Sequence, residues 1–154
     1  MKQLSSIIFV VISALFLISC EGNSPTHDQP SLMQKSAKRG VSFNFTNIQD
    51  LPLLSPAISW SYNWANDQNS TAALWFDTNE MDFCPMCWNG SYSAAKIRQY
   101  VQEHPNTKYL LGFNEPNLTD QCNMTPAQAA EQWPQVVALA RELNLKLMSP
   151  AMNY

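Results

Sequence analysis

An apolar run that ends in a carboxylate beside a carboxamide puts an acid where a chain is about to meet solvent. The sequence has one such run in Leu110-Leu111-Gly112-Phe113-Asn114-Glu115-Pro116-Asn117. The apolar residues read as a strand. Pro116, which has no N–H to give to a ladder, stops its regular continuation. Glu115 therefore falls at the strand's carboxyl end, where a carboxyl held among aromatic and amide neighbours can protonate a leaving oxygen. A lone glutamate at a strand end is usually only a polar residue facing water; the whole string singles this one out.

The cysteines offer a second chemistry. Cys84-Pro85-Met86-Cys87 is a Cys-x-x-Cys, the spacing of a thiol oxidoreductase, which works when the first sulfur sits at a helix N-terminus. Here the motif lies in a strand pattern, where residues three apart face opposite sides. The alternative expectation is a disulfide between Cys87 and Cys122, formed in an oxidising compartment, with Cys84 left as a buried thiol. His27 and His104 are far apart in the chain, so no histidine-based metal centre and no cofactor are expected. A formal net charge of −3 without any Lys/Arg cluster excludes a nucleic-acid binder.

The elements that must position these groups follow a strand-helix rhythm. Strands are expected at Val41–Phe45, Ala57–Trp60, Met81–Met86, Tyr109–Phe113 and Leu145–Met148. A helix is expected over Ser93 to Glu103. A longer one starts at Thr125-Pro126-Ala127-Gln128, a capping box with proline at the first helical position. Its apolar stripe is Ala129, Trp133, Val136, Val137, Ala140 and Leu143, and Asn144 is its left-handed stop. Strands separated by helices imply parallel pairing. The strand starts recur about every 26 residues, close to the unit of a (β/α)8 TIM barrel, and about five of eight units are present. An open doubly wound sheet is the competing fold, but Phe45-Thr46-Asn47 offers no glycine-rich phosphate loop.

Residues 1–19 read as a signal peptide: Lys2, then an apolar run from Ile7 to Ile18 broken by Ser13, too short for a bilayer core of about 30 Å. Leu17-Ile18-Ser19-Cys20 resembles the lipobox of bacterial lipoproteins, which makes Cys20 the expected site of lipidation and of membrane attachment. Residues 20–39 read as a polar linker and 40–154 as an incomplete barrel domain. That domain has ten acidic and five basic side chains. The expected location is the periplasm or surface of a bacterium.

With these pieces in order, the chain resembles glycoside hydrolase family 128. The resemblance rests on Gly112-Phe113-Asn114-Glu115-Pro116-Asn117, then Met124-Thr125-Pro126-Ala127-Gln128-Ala129-Ala130 and Trp133-Pro134. Arg39-Gly40-Val41-Ser42, Trp60-Ser61-Tyr62-Asn63-Trp64, Pro85-Met86-Cys87-Trp88-Asn89-Gly90 and Ser149-Pro150-Ala151 add to it. It implies a retaining endo-β-1,3-glucanase on a TIM barrel, with Glu115 as acid/base and Asn114 orienting the sugar 2-hydroxyl. The nucleophile of such enzymes is a glutamate on strand seven, which this chain does not reach. Neither Asp82, at a strand start, nor Asp120, in a loop, matches it.

A β-glucan partner suits the aromatic supply. Trp60, Tyr62 and Trp88 are expected to stack on pyranose faces, while Asn44, Asn63 and Asn117 bond hydroxyls. Trp64, Trp75 and Trp133 are expected in packing. A glucan-binding lipoprotein without catalysis is the alternative function, and a thiol oxidoreductase using Cys84 and Cys87 a more distant one.

Overall fold

The computed structural model describes residues 34–153. The signal segment, Cys20 and most of the expected linker lie outside the described residues. Five strands alternate with four helices: β1 (Ser36–Ser42), α1 (Leu51–Leu54), β2 (Ile58–Tyr62), α2 (Ser70–Thr78), β3 (Asp82–Phe83), α3 (Ala94–Glu103), β4 (Tyr109–Leu110), α4 (Pro126–Glu142) and β5 (Lys146–Leu147). All strand pairings are parallel, β1 with β2, β2 with β3, and β4 with β5. A parallel bridge between Met86 and Leu111 joins the two groups, with Leu111 N–H donating to Pro85 O and Cys87 N–H to Leu111 O at 2.9 Å each. The strands thus stand in chain order, as expected for consecutive units of a barrel.

β1 begins at Ser36, inside the segment read from sequence as linker. Pairing explains the difference: Ser36 stands opposite Ile58 and Gly40 opposite Trp60. A polar strand forms when a neighbouring strand supplies the ladder. Gly40 is required by close approach, because a Cβ there would lie 2.1 Å from the Trp60 ring.

The helices follow their caps. Ser93 Oγ accepts from Lys96 N–H to start α3. At α4 both halves of the capping box form: Gln128 N–H donates to Thr125 Oγ1 at 3.2 Å and Thr125 N–H to Gln128 Oε1 at 2.8 Å. α4 runs through Pro134 and ends before Asn144, whose φ of 55° is the expected left-handed stop. Leu139, absent from the expected stripe, is buried with Val136 and Ala140.

α2 has no counterpart in the sequence reading. Asn69 caps it by accepting from Ala72 N–H at 3.0 Å, and Ala72, Ala73 and Phe76 are its buried face.

Two apolar clusters hold the helices to the sheet. Phe45, Leu51, Ala73, Phe76, Phe83 and Tyr100 pack beside β1 to β3. Ile97, Leu110, Phe113, Val136 and Leu139 pack beside β4 and β5. Gly112 lets Trp133 of α4 sit on the β4 backbone, since a Cβ would meet that ring at 2.8 Å.

Candidate active site

The carboxyl ends of the five strands are stitched together by main-chain hydrogen bonds. Phe43 N–H donates to Tyr62 O, Met86 N–H to Ala65 O, and Asn114 N–H to Trp88 O, at 2.8–2.9 Å. Beyond β4, Ala151 N–H donates to Phe113 O and Glu115 N–H to Ala151 O, at 3.0 and 2.9 Å. Glu115 is thus held to the segment after β5 by its own N–H and to the loop that follows it by Leu118 N–H, which donates to Glu115 O at 3.0 Å.

Its φ is 42°. Pro116 disfavours the right-handed helical region for the residue before it, and a left-handed backbone at a residue with a Cβ costs on the order of 1–3 kcal/mol. The surrounding bonds hold that conformation and aim the half-buried side chain, whose Oε1 accepts from Asn153 Nδ2 at 3.1 Å.

Asn114 is buried beside it, 5% exposed. Its Nδ2 donates to Gln121 Oε1 at 3.0 Å, which fixes the plane of the amide and turns Oδ1 away from that bond. Neither Gln121 nor Asn153 was signalled by residue type or spacing; both are ordinary loop amides brought in by the fold.

The expected sugar-binding residues divide. Tyr62, Trp88 and Asn44 stand at the strand ends, with Trp88 half-buried and Asn44 exposed. Trp60 lies against Gly40 and lines a cavity of about 210 Å³ with Ala37, Cys84, Tyr109, Leu111 and Met148, so it faces the inside of the strand array. Asn63 builds its own loop: Nδ2 donates to Asp67 O at 3.2 Å, and Oδ1 accepts from Ala65 N–H at 3.1 Å. Asn117 pairs with the Asn153 backbone through both ends of its amide. Trp64 is a correction: instead of packing in the core it is 42% exposed, has a φ of 61°, and meets the Tyr62 ring edge-on at 5.3 Å. Trp75 and Trp133 pack against the two clusters as expected.

The cysteine expectations are also corrected. Cys84, Cys87 and Cys122 are buried free thiols, and the Cys87–Cys122 bridge is not formed. Cys87 and Cys122 instead serve as small apolar residues in the cluster beside β4 and β5. Burial pushes the thiols of Cys84 and Cys87 up to about 12, with the nearby Asp82 carboxylate adding to the rise at Cys84. A dithiol nucleophile needs the opposite, a depressed pKa.

A cavity of about 550 Å³ opens at the amino ends of the strands, away from Glu115. There Lys108 pairs with Asp82 at 2.8 Å, and Lys35 Nζ donates to the backbone carbonyls Asn79 O and Glu80 O. Asp77 and Glu142 are likewise paired, with His104 at 2.7 Å and Arg98 at 2.6 Å. Among the described residues no cluster of histidine, cysteine and acidic side chains is arranged to hold a metal.

The family described as the glycosyl hydrolase catalytic core matches residues 40–154. Among solved structures, the chain is similar to a GH128 (subgroup II) endo-β-1,3-glucanase from Pseudomonas viridiflava, with 41% identity and a TM-score of 0.72 over 79% of this chain and 48% of that one. It is similar to the subgroup II enzyme from Sorangium cellulosum, with 37% identity and a TM-score of 0.67 over 77% and 47%. A subgroup I endo-β-1,3-glucanase variant from Amycolatopsis mediterranei, solved in complex with laminaripentaose, is 28% identical with a TM-score of 0.55 over 79% and 45%. The chain spans about half the length of these relatives. No curated protein matches it closely.

Proposed function

Because the chain belongs to glycoside hydrolase family 128 across residues 40–154, we propose that it supplies the acid/base half of a retaining β-1,3-glucan hydrolase. The observation that carries this reading is Glu115, held in a left-handed backbone at the end of β4 by bonds from both sides.

In the first step the Glu115 carboxyl gives its proton to the glycosidic oxygen while a second carboxylate attacks the anomeric carbon. In the second step the Glu115 carboxylate takes a proton from the water that hydrolyses the glycosyl-enzyme. Asn114 Oδ1 accepts from the sugar 2-hydroxyl, and Tyr62 and Trp88 bracket the ring. Retention needs the two carboxyls about 5–5.5 Å apart. The resemblance to the family places the nucleophile on a strand later than β5, and Asp77, Asp82 and Glu142 are ion-paired away from Glu115. Glucan binding without turnover is the second reading, favoured by that same lack of a partner for Glu115 among the described residues.

Laminarin hydrolysis separates the two. The 154-residue chain on its own is expected to release no reducing sugar. A form carrying the later strands is expected to be active, and Glu115→Gln in it should lower kcat by about 10²–10⁴-fold while leaving laminarin binding intact. Hydrolysis by the 154-residue chain would refute the placement of the nucleophile on a later strand, and an active Glu115→Gln enzyme would refute the assignment of the acid/base.

We further propose export and anchoring through a lipid on Cys20, supported by Leu17-Ile18-Ser19-Cys20.

A further inference from the structure

Asn117 lies 36 residues from Asn153 in the chain, yet its amide takes up both main-chain polar atoms of that residue. Asn117 Nδ2 donates to Asn153 O, and Asn153 N–H donates to Asn117 Oδ1 at 3.4 Å. A carbonyl only accepts and a peptide N–H only donates, so these two atoms fix which end of the Asn117 amide is nitrogen. One bond would leave Asn153 free to pivot. Two bonds set its main chain, and with it the direction in which its side chain leaves.

That side chain returns to the acid: Asn153 Nδ2 donates to Glu115 Oε1 at 3.1 Å. The identity of this atom follows as well, because a carboxylate only accepts and an amide oxygen would meet it lone pair to lone pair. The Glu115 main chain is fixed to the same segment, its N–H donating to Ala151 O at 2.9 Å. Main chain and carboxylate are both registered to residues 151–153, and Asn117 is the brace that sets Asn153 within them.

Holding one carboxyl oxygen has a chemical consequence. When Glu115 is protonated, a proton on Oε1 would take the lone-pair density to which the Asn153 amide is bonded. The proton is directed to Oε2, so the acid gives it from one oxygen instead of two. A general acid works only when that proton lies within hydrogen-bond reach of the leaving oxygen. Resting on the reading of Glu115 as acid/base, we propose that Asn117 and Asn153 are its positioning residues: Asn117 clamps Asn153, and Asn153 keeps the transferable proton on Oε2. Asn117 acts through the protein, where its residue type had suggested a bond to a sugar hydroxyl.

The clamp is tested in the full ¹⁵N-labelled chain, at the side-chain amide resonances of Asn153. An amide proton given to a carboxylate is deshielded, so Glu115→Gln should move it upfield by removing the charge. Asn117→Ala should move it the same way by releasing Asn153, with Glu115 still in place. Asn153 resonances unmoved by both substitutions would overturn the clamp. The proton assignment is tested in the form carrying the later strands. There Asn117→Ala should lower kcat on laminarin roughly three- to tenfold with KM unmoved. On a dinitrophenyl β-laminaribioside, whose leaving group departs without a proton, the loss should be much smaller. An equal loss on both substrates would make Asn117 a structural residue only and end the proposal. A parent form without turnover would overturn the acid/base reading and the proton assignment with it, while the clamp stands or falls on the resonances.

Discussion

Glu115 shows how a single residue can be placed by its main chain. Its φ of 42° is sustained because its N–H and C=O are both taken by neighbours, and the carboxylate accepts from Asn153 Nδ2. Residue chemistry also governs the thiols. Cys84 and Cys87, with pKa values pushed by burial from 9.0 to about 12, stay protonated in the folded state at pH values where the unfolded chain ionises. The unfolded state therefore binds fewer protons above pH 9. The stability these thiols contribute is full below that pH and falls by about 1.4 kcal/mol per pH unit for each thiol as pH rises towards 12. Thermal unfolding followed between pH 8 and 11 should show a Tm level up to pH 9 and declining after it. Iodoacetamide should leave both thiols unmodified at pH 8 until the chain is unfolded. The Asn114-Glu115 pair was legible in the sequence because a proline-terminated apolar run dictates where it must lie. The thiols were not, because an oxidising compartment permits a bridge without bringing two sulfurs together.

At the scale of elements, α4 and the Gly40–Trp60 contact carry the sharpest tests. Replacing Thr125 with Ala removes the side-chain acceptor for Gln128 N–H and should lower stability by about 1 kcal/mol, seen as a lower Tm. Gly40→Ala places a methyl 2.1 Å from the Trp60 ring. Since that ring is packed between strands, the substitution should cost about 1–3 kcal/mol and alter the near-UV circular dichroism of the tryptophans. Thr125-Pro126-Ala127-Gln128 could be read directly because a capping box is a local code. α2 could not: Ser70-Thr71 are weak helix formers and Trp75-Phe76 are strand-like, and burial of Ala72, Ala73 and Phe76 overrides both. Asn63's loop-building role was hidden for the converse reason. Its type suits a sugar hydroxyl equally well, and only the folded loop reveals that Asp67 O and Ala65 N–H already occupy its amide.

Across the whole molecule, five parallel strands in chain order put Asn114, Glu115, Tyr62 and Trp88 at one end and Lys35 with the Lys108–Asp82 pair at the other. On the proposal that a lipid on Cys20 anchors the chain, Cys20→Ser should move the protein from the membrane fraction to the soluble one and abolish labelling by radioactive palmitate. The same order also gives the site a history in time. Glu115 takes its geometry from Ala151 and Asn153, and the Asn153 bond spans 38 residues of chain. A ribosome adding about 5–20 residues per second needs roughly 2–8 s to supply them. For that interval a nascent chain has made its carboxylate but not yet set its geometry, which waits for the segment after β5 to be synthesised and docked.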